Sequence, residues 1–182
     1  MKPLFTLHAG EVVTGDYIER TFKHVNVWVP TKDTGIDLLV SGKNKKVLYL
    51  QVKFSRDFLA THMDVMFQKP LRACGWWSLN RPKIAASTAD YWIFALAGFE
   101  RRSMDFIIIT PAELLKRLDA IHPERQKICQ TYFWVTEKRE CWETRGLRRS
   151  DQVLVAQGNF KSEQRNFKTY LNNWDPIKDL NS

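Results

Sequence analysis

Residues 34–56 read TGIDLLVSGKNKKVLYLQVKFSR, and the rest of the chain is most easily understood around them. Residues 35–41 and 46–54 have the composition of two strands, with Gly42-Lys43-Asn44-Lys45 as the polar turn between them. Side chains alternate faces along a strand, so Leu48, Leu50, Val52 and Phe54 share one face of the second. Val47 and Tyr49 begin the other face, and Gln51 and Lys53 finish it. A strand apolar on both sides for most of its length is expected in the middle of a covered sheet. Two polar heads at its far end are then costly to bury unless they hold something. In the partner strand Asp37 interrupts Ile36, Leu38, Leu39 and Val40 in the same way. An acid, an amide oxygen and an ammonium beside an apolar sheet point to a site for a divalent metal and a phosphate.

Upstream, residues 9–22 read as a helix, with Val12, Val13, Tyr17, Ile18 and Phe22 at helical spacing. Glu11 falls in its first turn, where the helix dipole favours an acid, and Gly15 marks close packing on the sheet. Residues 24–29 alternate as a strand that Pro30 stops. Downstream, 57–80 is mixed in character and broken by Pro70 and Gly75, which fits either a lid over the substrate or an ordinary insertion. Asn80 with Pro82 opens a short helix. Strands are expected at 91–97 and 105–110. Thr110-Pro111-Ala112-Glu113 is a capping box that starts a helix running to about residue 121. Residues 131–136 and 140–143 alternate as strands, 151–156 is ambiguous, and 161–174 reads as a terminal amphipathic helix with Phe167, Tyr170, Leu171 and Trp174 on one face.

The totals narrow the class. A chain of 182 residues with 44% hydrophobic content suits one globular domain and argues against disorder. The core motifs occupy 8–56, strands and helices continue to 121, and 122–182 forms a C-terminal extension. No apolar run is long enough to cross a bilayer, and the first residues lack a signal-peptide layout, so a cytoplasmic protein is expected. Cys74, Cys129 and Cys141 are scattered and odd in number, which fits buried free thiols rather than a zinc site or disulfides. A net charge of +8 attracts polyanions.

The ordered set of Glu11 on a first helix, Gly35-Ile36-Asp37 on one strand and Gln51-Val52-Lys53 on the next resembles the PD-(D/E)XK nuclease superfamily. The likeness is greatest to its small bacterial GID…QVK families, to Mrr-like nucleases and to archaeal Holliday-junction resolvases, and it covers residues 8–56. It implies an α/β fold of restriction-endonuclease-like type, with a mixed central sheet flanked by helices. The function implied is a metal-dependent DNA endonuclease using Mg²⁺ or Mn²⁺, with RNA as a second substrate left open and a homodimer needed for double-strand cutting. By resemblance, Asp37 is the principal metal carboxylate, and Gln51 stands where relatives more often carry an acid. The Val52 backbone carbonyl is a further ligand, and Lys53 positions the attacking water or offsets transition-state charge. Glu11 is the helix-borne acid, acting directly or through a water.

Plainer readings stand beside these. Asp37 and Lys53 would also make a structural ion pair, Glu11 a simple first-turn acid, and Gln51 a hydrogen-bonded core amide. Asp33 and Thr34 read as turn formers, and the four histidines show no metal or nucleophile spacing. Most basic clusters read as solvated faces, including Lys43–Lys46 and Arg101–Arg102. Arg145, Arg148 and Arg149, next to Ser150, are the candidates for phosphate contacts. The alternative function is a catalytically silent nuclease-fold module that binds nucleic acid or protein.

Overall fold

The computed structural model describes residues 8–32, 35–58, 64–98, 103–124 and 126–182. The readings made for Asp33, Thr34, His62, Arg101 and Arg102 lie outside these described residues. The hairpin forms as expected: β2 (Leu38–Ser41) pairs antiparallel with β3 (Val47–Ser55), and β1 (Asn26–Trp28) adds to the far side of β2. On its other side β3 runs parallel to β5 (Tyr91–Gly98), which pairs antiparallel with β6 (Ser103–Ile109). The result is a five-stranded mixed sheet in the order β1-β2-β3-β5-β6, with β3 in the middle.

The fold is therefore α/β, with a second sheet added to the mixed one. Residues 57–80, the least legible stretch, contain a short helix α2 (Val65–Gln68) and the long strand β4 (Leu71–Asn80). β4 pairs antiparallel with β7 (Ile128–Thr136), which pairs with β8 (Cys141–Glu143). The chain passes from β4 through α3 (Arg81–Ala85) to β5, and from β6 through α4 (Pro111–Ile121) to β7. Both helix starts form as their letters indicate: Asn80 Oδ1 accepts from Lys83 N, and Thr110 Oγ1 accepts from Glu113 N.

The five-stranded sheet buries both faces, in different company. Leu50, Val52, Ile93, Ala95 and Phe106 point to one side, where Ile18 of α1 (Ala9–Thr21) and the C-terminal Trp174, Ile177 and Leu180 cover them. Trp92, Phe94, Leu96, Ile107 and Ile109 point to the other, against α4 and the inner face of the small sheet. Phe133 and Val135 of β7 pack in this second core, so residues from the 122–182 region share it with the strands that precede them. A third cluster on the outer face of the small sheet joins Phe67, Cys74, Trp134 and Val155. All three cysteines are free and buried, and burial pushes the Cys74 and Cys141 thiols well up, keeping them neutral.

Three expectations are corrected. β3 is not covered on both sides along its length, since Val47 and Tyr49 are each 39% exposed. α1 does not bury the face that its valines suggest. Val12 points to solvent, and the buried face is Gly10, Glu11, Thr14, Gly15 and Ile18, where small residues let the helix lie close on the sheet. Residues 161–174 form no amphipathic helix. They run as loop with a single 3₁₀ turn (Lys168–Tyr170) before a short helix α6 (Asp175–Lys178). Phe167, Tyr170 and Leu171 pack with the α4-side core while Trp174 packs with the α1-side core, a division one helical face cannot supply. Arg117 Nη1 also donates to the carbonyls of Glu163, Gln164 and Asn166, taking acceptors that a helix would use internally. The ambiguous 151–156 lies within a helix, α5 (Arg149–Gln157).

Candidate functional site

Where β2 leaves β3, a cleft opens. The ladder continues as far as Leu38 opposite Leu50, and the Asp37 amide still donates to the Leu50 carbonyl at 2.8 Å. Beyond that point the chain swings away through Gly35, whose φ of +81° belongs to the left-handed region that glycine adopts without strain. The departing strand no longer supplies a backbone acceptor for Val52, and the Asp37 side chain takes over: Oδ2 accepts the Val52 N–H at 2.8 Å. Asp37 is buried, 7% exposed, and this bond fixes its carboxylate against the end of β3.

The cleft at this point has a volume of about 890 Å³. Glu11, Asp37, Gln51 and Lys53 all border it, and so does Val52, whose side chain turns into the α1-side core. Four residues singled out from the sequence thus come to one cavity: Glu11 from α1, Gln51 and Lys53 from β3, and Asp37 from the position just before β2, one residue short of the strand in which it was expected. Glu11 reaches it because α1 packs tightly: a Cβ built on Gly10 would lie 2.4 Å from Phe54 Cβ, so only glycine lets this turn approach β3. The Glu11 side chain is 3% exposed.

Gln51 and Lys53 alternate to the α4 side of the sheet, beside Trp92 and Phe94 of β5. The Lys53 ammonium lies 5.3 Å from the centre of the Trp92 ring, within cation–π range. Trp92 is itself held, its Nε1 donating to Ser87 Oγ at 2.9 Å. Ser87 borders the cleft and receives a second bond from Ala89 N at 3.3 Å. A chain of contacts from Ser87 through Trp92 therefore sets where the ammonium rests.

The rest of the cleft's lining was not legible in the sequence. Lys83 on α3 and the following Ala86, Ser87 and Thr88 belong to it, and His8 stands at the α1 end. The only signal for Lys83 is indirect: the Asn80 cap and Pro82 place it in a first helical turn, but nothing local says which cleft that turn faces. The three arginines proposed for phosphate contacts do not border this cleft. Arg145 lines a separate cavity of about 480 Å³ with Arg81 and His122. Arg148 is the N-cap of α5, and Arg149 pairs with Asp64 and lies over the Phe67 ring at 4.3 Å. The Lys43–Lys46 turn is at the other end of β3, bonded to the C-terminal Leu180 and Asn181.

Among the described residues, no group of three or more His, Cys, Asp and Glu side chains gathers closely enough to form a metal cage. The cleft's donors are instead two carboxylates, an amide and a backbone carbonyl, all oxygen. That set suits a hard cation held by one or two carboxylates with substrate oxygens and water completing the shell, and it is a poor match for zinc. Compared with known proteins, the chain matches no family model, no curated protein and no solved structure. No helix among the described residues is long and apolar enough to cross a membrane.

Proposed function

We propose that this cleft is the centre of a metal-dependent DNA endonuclease of restriction-endonuclease-like fold. One observation carries the reading: Glu11 of α1, Asp37 immediately before β2, and Gln51 and Lys53 of β3 border a single cavity. Asp37 and Glu11, with the Gln51 amide and the Val52 carbonyl, would hold Mg²⁺ or Mn²⁺. When bound, the ion supplies Lewis acidity on the phosphoryl oxygen and a more acidic attacking water.

The remaining work falls to the chain. The Val52 N–H bond holds the Asp37 carboxylate in a fixed orientation at the cleft, where it would supply one negative charge to the cation. Glu11 brings the second negative charge and orients the attacking water. Lys53, propped on Trp92, offsets the negative charge that builds on the phosphoryl oxygens, and Lys83, which also lines the cleft, adds a second cation for the substrate backbone. Gln51 contributes an oxygen without a charge, so cation binding is weaker here than with an acid at this position. One centre cuts one strand, and double-strand cleavage takes two copies of the chain.

The test is digestion of DNA and RNA, in parallel, with Mg²⁺ or Mn²⁺. Wild type is expected to cut DNA, and Lys53→Ala to lose roughly 10²–10³-fold in rate with nucleic-acid binding retained. Wild type that binds DNA and cuts neither substrate would replace the enzyme with the silent binding module. Full activity in Lys53→Ala would remove the mechanism.

A further inference from the structure

We propose that Trp76, with Phe58 and Arg56, is a stacking platform for an unpaired base of the strand whose backbone enters the Asp37–Lys53 cleft. The proposal rests on reading that cleft as a phosphodiesterase centre and adds the substrate class: single-stranded or locally unpaired nucleic acid.

Trp76 and Trp77 are neighbours on β4 and point to opposite faces. Trp77 is buried, with its ring centre 5.1 Å from that of Phe94 and 5.8 Å from that of Phe133. Trp76 is 46% exposed, so much of its indole does not serve the core. Its surroundings tie it to the cleft. The Trp76 amide donates to Ser55 Oγ at 3.0 Å and the Phe58 amide to the Cys74 carbonyl at 3.3 Å, so residues 55–58 run along the edge of β4 that β7 leaves open. Ser55 is only two strand positions beyond Lys53, about 6–7 Å along the chain. In the other direction β4 continues through exposed Ser78 to Asn80, which caps the helix that carries Lys83 into the cleft. β4 is therefore joined on one side to the strand that carries Lys53 and at its end to the helix that carries Lys83, both of which line the cleft.

The chemistry selects the occupant. Phe58 meets Trp76 edge to face, at 6.1 Å between ring centres and 70° between planes, so the Phe58 ring does not lie flat over the indole. Arg56, exposed, lies 5.0 Å from the Phe58 ring centre and adds a cation at the platform's border. An exposed indole beside a half-buried phenyl ring and an exposed cation, on a chain of net charge +8, complements a polyanion that carries flat bases. Every base has a π-face, so such a platform takes any sequence, whereas bases inside a duplex are already stacked and must be unpaired before they reach it.

The experiment is fluorescence anisotropy with a short labelled oligonucleotide of mixed sequence, as a single strand and as its duplex, in EDTA so that no cleavage intervenes. Wild type, Trp76→Ala and Trp76→Phe are compared, with circular dichroism melts to check folding. Trp76→Ala is expected to bind the single strand about tenfold more weakly with duplex binding changed less than twofold, and Trp76→Phe to recover most of the loss. Unchanged single-strand affinity, or equal losses on both forms, overturns the proposal. Its failure is separable from that of the cleft. Cleavage that needs Lys53, without single-strand loss in Trp76→Ala, removes the platform alone. Trp76-dependent single-strand binding without cleavage in Mn²⁺ removes the catalytic reading alone, and no single-strand binding by wild type removes the platform and leaves the cleft to the cleavage assay.

Discussion

The Asp37 carboxylate accepts the Val52 amide hydrogen and also borders the cleft, and two substitutions separate these roles. Asp37→Ala leaves a buried N–H without its acceptor, at a cost of about 1–3 kcal/mol. Asp37→Asn keeps an oxygen in that place and removes only the charge. Urea unfolding is expected to give a lower midpoint for the alanine variant and one close to wild type for asparagine, with cleavage lost in both. An alanine variant as stable as wild type would contradict the structural half of the account. The sequence made Asp37 conspicuous because a carboxylate in an apolar strand demands an explanation. It gave no sign of the Val52 bond, which exists only because β2 turns away from β3 at that residue.

Helix α1 owes its position to Gly10, and Glu11 owes its place in the cleft to α1. Adding one methyl at Gly10 drives a Cβ against Phe54, and overpacking of this kind costs roughly 1–3 kcal/mol. Gly10→Ala should therefore melt earlier and cleave more slowly, because the turn that shifts is the one bearing Glu11. Melting at the wild-type temperature would show that the helix is not held so closely. Elements with strong local signals were legible in the letters: the apolar runs of β3, β5 and β6, and the Asn80 and Thr110 caps. Close packing of α1 was expected at Gly15, where a Cβ would meet Val27 at an ordinary 3.4 Å, but the tight approach is at Gly10. Residues 57–80 and 161–174 were not legible, for a different reason. β4 takes its partner, β7, from some fifty residues downstream, and Phe167 and Trp174 serve cores on opposite sides of the sheet. Such pairings are set by tertiary packing and leave no periodicity in a single segment.

At the scale of the molecule, one buried acid ties the two sheets and the C-terminal segment together. Asp105 of β6 is fully buried and accepts from Arg72 of β4 at 2.7 Å, from Arg139 in the β7–β8 turn at 2.7 Å and from Asn172 at 3.0 Å. Removing the acid strands Arg72 and the Asn172 amide, while the Arg139 side chain, 54% exposed, turns to water, so the cost lies near the lower end of about 3–5 kcal/mol. Asp105→Ala should fall by that amount in equilibrium unfolding, and Asp105→Asn by less. A surface-sized loss, below about 1 kcal/mol, would mean that the sheets are joined by apolar packing alone.

The frame built this way holds two carboxylates, an amide and an ammonium around one cavity, and the proposed function rests on what binds there. Calorimetric titration of Mn²⁺ into wild type, Gln51→Glu and Asp37→Asn asks this directly, since each variant changes one charge at the cleft. The account predicts binding to wild type, tighter binding to Gln51→Glu, and at least a roughly tenfold loss in Asp37→Asn. Wild type that takes up no Mn²⁺, or an Asp37→Asn variant that binds it as well as wild type does, would contradict it.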